Sequence, residues 1–370
     1  MRRLIIAMLA FSALAIVIPA QGQEFLFGAD VSFEPQVTAG GGVFYNAGEA
    51  ADLFVILQAH GLNTIRLRLW HSPSDGHNSL AETLSLAERA KAAGFRVLLD
   101  FHFSDTWADP GHQDKPAAWT GLTTSILADS IRIYTHDVLE AFAARNVLPA
   151  MVQLGNEIAS GLLWENGRVG GAYDTPDQWR NLAVLLKAAI SGIETASADK
   201  RRPAIMIHLD RGGDNTGARW FFDKLIDHGV DFDLIGLSYY PWWHGTLADL
   251  EANLNDLARR YGKDLVVVET AYPWTLQWFD NTHNLVGEGG QLLSGIPATP
   301  AGQQKFLNAV TAIVRAIPEG RGRGVVWWAP ESIAAPGFGS VWENVTFFDE
   351  RGQVLPALRD FAGDGVGDKK

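Results

Sequence analysis

Two glutamates close short apolar runs. Met151-Val-Gln-Leu-Gly-Asn-Glu157 leads apolar or neutral residues into Gly155, then sets Asn156 and Glu157 side by side. Leu265-Val-Val-Val-Glu269-Thr270 is a β-branched run that also ends on a carboxylate. Buried strands read this way, with their last residues emerging at one end of the sheet. If Glu157 and Glu269 face one another across one cleft, the pair suits retaining glycoside hydrolysis. One carboxylic acid then protonates the leaving oxygen while the other attacks the anomeric carbon, the two standing roughly 5–5.5 Å apart. Those roles need separated pKa values. Burial and the second carboxylate are expected to raise Glu157, while Arg66 and a tyrosine hydroxyl keep Glu269 charged. Taken singly, each glutamate also reads as a structural ion pair or a solvated strand end.

The elements that would position the pair follow a strand–helix rhythm. The strands are expected at residues 25–32, 64–70, 96–103, 151–157, 204–210, 234–240, 265–270 and 324–329. Helical patterns fall at residues 46–60, 79–93, 124–145, 177–198, 218–228, 246–261 and 301–316. Eight strands alternating with helices predict an α/β fold, a single (β/α)8 TIM barrel, with a doubly wound open sheet as the rival. In a barrel the reactive groups sit at the C-terminal ends of the strands. The polar or bulky residues expected there are Arg66, His102, Asn156, Glu157, His208, Tyr239 or Tyr240, Glu269, and Trp327 or Trp328. Arg66 and His102 also read as a buried network that orients the carboxylates, and Arg68 as the partner of an interior acid. His208 reads equally as a satisfied barrel histidine and as a substrate contact.

Arg2 and Arg3 precede an apolar run, and small residues follow at Ala20 and Gly22. Residues 1–22 therefore read as a secretory signal peptide, with a membrane anchor as the competing reading; the run is short for a span of about 20 residues. The expected address is outside the cytoplasm, secreted or periplasmic. Residues 23–362 form the barrel domain, and the Gly- and charge-rich residues 363–370 an expected disordered tail. Without Arg2 and Arg3, 28 basic residues face 42 acidic ones, a formal charge of about −14. Nucleic acid and anionic membranes are poor partners for that balance. There are no cysteines, which excludes disulfides, zinc-thiolate sites and thiol nucleophiles. The 13 tryptophans exceed what packing alone calls for, so some are expected to stack on sugar rings.

A longer motif narrows the class. Asp100-Phe-His-Phe-Ser-Asp-Thr-Trp-Ala-Asp-Pro-Gly-His-Gln-Asp-Lys-Pro-Ala-Ala-Trp119 resembles the signature loop of glycoside hydrolase family 53, the endo-β-1,4-galactanases. Val152-Gln-Leu-Gly-Asn-Glu-Ile158 with Gly161-Leu-Leu-Trp164 resembles that family's acid/base segment, and Glu269-Thr-Ala-Tyr-Pro273 its nucleophile segment. Ile207-His-Leu-Asp-Arg-Gly-Gly213 and Ser340-Val-Trp-Glu-Asn344 are similar too, so the likeness spans residues 27–361. It implies an endo-acting, retaining hydrolase of β-1,4-galactan, with Glu157 as acid/base, Glu269 as nucleophile and Asn156 on the sugar 2-hydroxyl. Together with the strand-end residues, the expected substrate-binding set is Arg66, His102, Asp105, Trp107, Asn156, His208, Tyr239 and Trp328. Trp119, Trp164 and Asp109 are added candidates, and a monomer is expected.

The chain departs from the family pattern in two places. Some members bind calcium in the loop after strand seven. Here residues 277–284 hold a single aspartate, Asp280, with His283 and Asn284, whereas calcium favours several carboxylates among six to eight oxygens. The expectation is no cofactor, with calcium the open alternative. The family's Trp-Glu-Pro order is replaced by Trp328-Ala329-Pro330-Glu331, which leaves Glu331 without an assigned role. A mannanase or cellulase of the same barrel type, or a non-catalytic glycan binder, fits Asn156, Glu157 and Glu269 as well.

Overall fold

The computed structural model describes residues 24–361. The signal-peptide and tail expectations fall outside those residues. The barrel strands are β1 (Leu26–Asp30), β2 (Thr64–Leu69), β3 (Arg96–Phe101), β4 (Met151–Leu154), β5 (Ala204–Leu209), β6 (Leu234–Tyr239), β7 (Asp264–Thr270) and β8 (Gly322–Trp328). Each pairs in parallel with the next, and β8 pairs with β1, so the sheet is a closed eight-stranded barrel. The open-sheet alternative is thereby excluded.

The outer helices α1 (Leu53–Ala59), α2 (Leu80–Ala92), α3 (Thr124–Ala144), α4 (Pro176–Ala196), α5 (Asn215–Asp227), α6 (Leu247–Tyr261) and α7 (Pro300–Arg315) follow the first seven strands in turn. They open on Asp52, Ser79, Thr123, Thr175, Asp214, Thr246 and Thr299, whose side chains accept from backbone N–H groups of the first turn. Each such cap stabilises its helix by about 1 kcal/mol. Among the described residues no helix is long and apolar enough to cross a membrane.

Two expected elements are cut short by a turn or a hairpin. The helix expected at residues 46–60 begins only at Leu53, because Tyr45–Asn46 and Glu49–Ala50 pair as a small hairpin turned through Ala47 and Gly48 at positive φ. The strand expected at residues 151–157 stops at Leu154, where Gly155 turns at φ +83. A Cβ on Gly155 would meet Ile158 Cγ2 at 2.5 Å, so both conformation and space select glycine.

The barrel interior is layered by the period-two alternation of its strands. Leu26, Leu98, Met151, Met206, Leu234, Val266 and Val326 pack together inside its N-terminal half. Gly236 makes room for them, since a Cβ there would lie 2.6 Å from Met206 Sδ. Two residues further along the same strands come Asp100, Gln153 and His208, all buried and all polar. That change from apolar to polar builds the floor of the site.

Candidate active site

Arg66 on β2 lies at the centre of this polar layer and is fully buried. Its Nη1 donates to Asp30 at 2.8 Å and to Glu269 Oε2 at 3.2 Å; its Nη2 donates to Asp100 at 2.9 Å and to Asn156 Oδ1 at 2.8 Å. Burial works against this charge, but Asp100, Asp30 and Glu269 hold the guanidinium protonated. Arg66 is therefore a positioning residue beneath the cleft, because every face of it is engaged by protein. Replacing Arg66 with methionine is expected to leave three buried carboxylates without their cation and to cost roughly 3–5 kcal/mol of stability. Thermal melts would read that loss, and the acid limb of the activity profile should move to higher pH.

Glu269 Oε1 accepts from the Tyr240 hydroxyl at 2.8 Å. Burial pushes the Glu269 carboxyl up to about 7, while Arg66 and the Tyr240 hydroxyl pull it down. Desolvation outweighs the two donors expected to keep Glu269 charged. Glu157 is raised further, first by burial and then by the charges of Glu269 and Asp210. Of the pair, Glu157 keeps its proton to higher pH, and Glu269 ionises first. One oxygen of each carboxylate and a ring nitrogen of His208 lie within 4.8 Å of one another, a carboxylate separation compatible with the retaining geometry.

Glu157 sits immediately after the Gly155 turn at φ +49, ψ +53, a left-handed conformation uncommon for a non-glycine residue. Its backbone N–H donates to His208 Nδ1 at 3.3 Å, and Gln153 Nε2 approaches the same nitrogen at 3.0 Å. With two N–H groups aimed at it, Nδ1 carries no proton. Asn156 Oδ1, 3.1 Å from Nδ1, adds no donor because an amide oxygen carries no hydrogen. Burial holds His208 neutral, so its proton is on Nε2 and points to Ser238 Oγ at 2.8 Å. Ser238 in turn donates to Glu157 Oε1 at 2.6 Å. The acidic proton of Glu157 is thereby directed to its other oxygen. A Ser238→Ala variant should lose about tenfold in kcat, the worth of one charge-assisted bond. Its alkaline limb should move to higher pH, because a donor favouring the ionised carboxylate is gone; pH–rate profiles check both.

Around the pair opens a cleft of about 660 Å³. Trp107, Asn156, Glu157, Glu269 and Trp328 line it, as the sequence indicates, and so does Asp109. Asn156 Nδ2 donates to Ala108 O at 2.8 Å, which leaves its second amide hydrogen for a ligand.

Four other expected contacts lie elsewhere. His102 is buried behind Trp107, its Nδ1 accepting from Trp70 Nε1 and Ala108 N and its Nε2 facing Asp100. His208 is likewise a satisfied barrel histidine behind Glu157. Asp105 accepts from the backbone N–H groups of Ser72 and Ala117 and so braces two loops. Tyr239 points outward, stacked on Phe306 and donating to Gly245 O, because Leu234, Gly236, Ser238 and Tyr240 are the inward residues of that run. Tyr240 takes the role assigned to Tyr239, and counting by twos from Leu234 would have found it. Trp119 packs against His71 and Tyr134, away from the cleft.

Several lining residues had no individual signal in the sequence. Asp210 and Arg211 follow β5, Trp243 and His244 follow β6, and Trp342 stacks on Tyr240 at 6.1 Å. Arg68 is sandwiched between the rings of Trp107 (4.0 Å) and Phe33 (4.6 Å). Glu331 is buried, accepts from Phe33 N at 2.9 Å, and is held toward its neutral form by desolvation. Neither residue reaches the carboxylate pair.

The loop considered for calcium is tied by hydrogen bonds of its own. Asp280 accepts from Thr282 N and Ser340 N, and Glu343 accepts from Phe279 N. Asn284 Oδ1 and Glu343 Oε2 remain as buried oxygens without donors. With Asn344 Oδ1, also buried and without a donor, they are three, where calcium takes six to eight oxygens.

Two carboxylates of unequal acidity, opposed at the C-terminal mouth of a parallel barrel and walled by tryptophans, are the equipment of a barrel glycoside hydrolase. Residues 26–361 match the family described as Glycosyl hydrolase family 53. The chain is 37% identical over 320 residues to the arabinogalactan endo-beta-1,4-galactanase of Thermothelomyces thermophilus, covering 85% of this chain and 91% of that protein. It is 45% identical over 343 residues to an uncharacterized protein of Niallia circulans, covering 91% and 93%. The GH53 catalytic domain of Ignisphaera aggregans superposes with a TM-score of 0.86 at 37% identity, covering 94% of this chain and 98% of that one. The chain belongs to glycosyl hydrolase family 53.

Proposed function

We propose that the protein is an exported, retaining endo-hydrolase of β-1,4-galactan that uses Glu157 as acid/base and Glu269 as nucleophile. The observation that carries the chemistry is the separation of the two carboxylates together with their unequal acidity. The polymer is supported by the activity named for the Thermothelomyces thermophilus relative, and export by the basic and apolar run at residues 2–18. A monomer needing no cofactor is part of the same reading.

In the first displacement Glu157 gives its proton to the glycosidic oxygen as that bond breaks. Glu269 Oε forms a bond to the anomeric carbon from the opposite face. Glu157, now ionised, takes a proton from water as the water oxygen displaces Glu269. Two inversions return the β configuration. Asn156 offers a donor to the 2-hydroxyl, where hydrogen bonds strengthen in the transition state.

Reducing-end assays should show hydrolysis of pectic galactan and none of mannan or cellulose; activity on mannan alone overturns the polymer. Proton NMR of the first products should show the β-anomer, and an α-anomer first would mean inversion and remove the nucleophile role of Glu269.

A further inference from the structure

Arg68 and Glu331 are buried ionisable residues that the displacement chemistry leaves unused. Arg68 stands two residues after Arg66 on β2 and so points into the barrel as well. Its guanidinium lies behind the aromatic wall of the cleft, 4.0 Å from the Trp107 centroid, 4.6 Å from that of Phe33 and 5.7 Å from that of Trp328. Those three rings all line the cleft, and their centroids are 5.8, 6.1 and 6.1 Å apart. Arg68 Nε donates to Asn78 Oδ1 at 3.2 Å, but Nη1 and Nη2 find no acceptor among the described residues. Burial works against the charge, and the nearby Asp30 and Asp100 are bonded to Arg66 instead. A buried cation with two unanswered nitrogens costs the fold stability, and an apolar residue of similar volume would remove that cost. What the guanidinium supplies is a flat, rigid surface on which rings of different tilt rest.

Glu331 braces the same wall from the loop after β8. Its Oε1 accepts from Phe33 N at 2.9 Å, while Oε2 has no hydrogen-bond partner among the described residues. Desolvation holds the carboxyl toward its neutral form, in which Oε1 still accepts. Glu331 thus ties the segment after β1, which carries Phe33, to the end of β8, which carries Trp328.

We propose that Arg68 and Glu331 are positioning residues for substrate binding, which set from behind the tilt of Phe33, Trp107 and Trp328 and so the ring surface that a sugar meets. The inference rests on the glycan reading of the cleft. A ring fixed before the sugar arrives has no freedom left to lose on binding, so a preset wall binds more tightly than a mobile one. Stability is given up at Arg68 for that order, as local rules are broken at functional sites.

The test measures kcat, KM and Tm on linear β-1,4-galactan for wild type and for Arg68→Met, Arg68→Lys, Glu331→Ala and Glu331→Gln. Arg68→Met should raise KM about tenfold, the worth of an aromatic contact, with kcat within about twofold of wild type and Tm unchanged or higher. A residue that only held the fold together would instead lower Tm and leave KM alone. Arg68→Lys keeps the charge without the flat surface and should raise KM likewise. Glu331→Ala should also raise KM, and Glu331→Gln, which restores the acceptor for Phe33 N without a charge, should return it to within about twofold of wild type. Wild-type KM in Arg68→Met overturns the role of the guanidinium; where that variant fails to fold, wild-type KM in Arg68→Lys does the same. A Glu331→Gln variant that binds as poorly as Glu331→Ala overturns the role of Glu331. If wild type cuts mannan or cellulose and not galactan, the galactan reading fails, and the same comparison on that polymer decides the wall by itself.

Discussion

Replacing Glu269 with alanine should lower kcat on galactan on the order of 10⁵-fold, as loss of a nucleophile does when no other group takes its place. Glu269 has one oxygen on Tyr240 and the other on Arg66, so both hydrogen bonds orient the carboxylate while leaving lone pairs toward the cleft. The cavity left by alanine should admit azide. With an aryl β-galactoside as substrate, azide then attacks from the Glu269 side, the aryl oxygen leaves with a proton from Glu157, and the product is an α-galactosyl azide. Recovery of rate with that product identifies the nucleophile; a β-azide instead would exchange the roles of the two glutamates. Because the charge of Glu269 raises Glu157, its removal should also move the titration of Glu157 to lower pH, readable by NMR of the labelled carboxyl.

Converting Glu157 to glutamine should reduce kcat on galactan by about 10²–10⁴, the range of a lost general acid. The effect should depend on the leaving group. An aryl group of low pKa needs little protonation, so its release should fall less than about tenfold. The glycosyl-enzyme would then accumulate, because no base remains to activate water. In wild type, kcat/KM should rise with pH as Glu269 ionises, near 7, and fall as Glu157 loses its proton at higher pH. The sign follows from the roles: the nucleophile works ionised and the acid works protonated. In the glutamine variant assayed on the aryl substrate, the fall at high pH should vanish while the rise remains. A bell-shaped profile that survives intact would assign the alkaline limb to another group.

Much of this was legible before any coordinates. Eight apolar runs, the helical patterns between them, and the ordering of polar groups at strand ends specify the barrel, because strand and helix periodicity are local properties of sequence. The two glutamates and the loop from Asp100 to Trp119 specify the chemistry. Side-chain destinations were less legible. Trp107 and Trp328 reached the cleft, while His102, His208, Asp105 and Tyr239 did not. A residue type says that a group needs partners, not whether those partners are protein or ligand. His208 is spoken for by Ser238 and Glu157 N, and nothing local in its sequence announces them.

The sequence by itself determined the fold class and singled out the two carboxylates that the barrel brings together, since both rest on patterns a few residues long. Only the tertiary structure decided how Glu269 enters the site. Val266 and Val268 both pack inside the barrel and Val267 outside, so strict alternation would turn Glu269 outward to the helices. A β-bulge against β6, where Leu237 pairs with Val267 and Ser238 with Glu269, inserts Val268 as an extra residue and turns the carboxylate inward. A bulge exists only between paired strands, so its position depends on the register with a neighbour far along the chain.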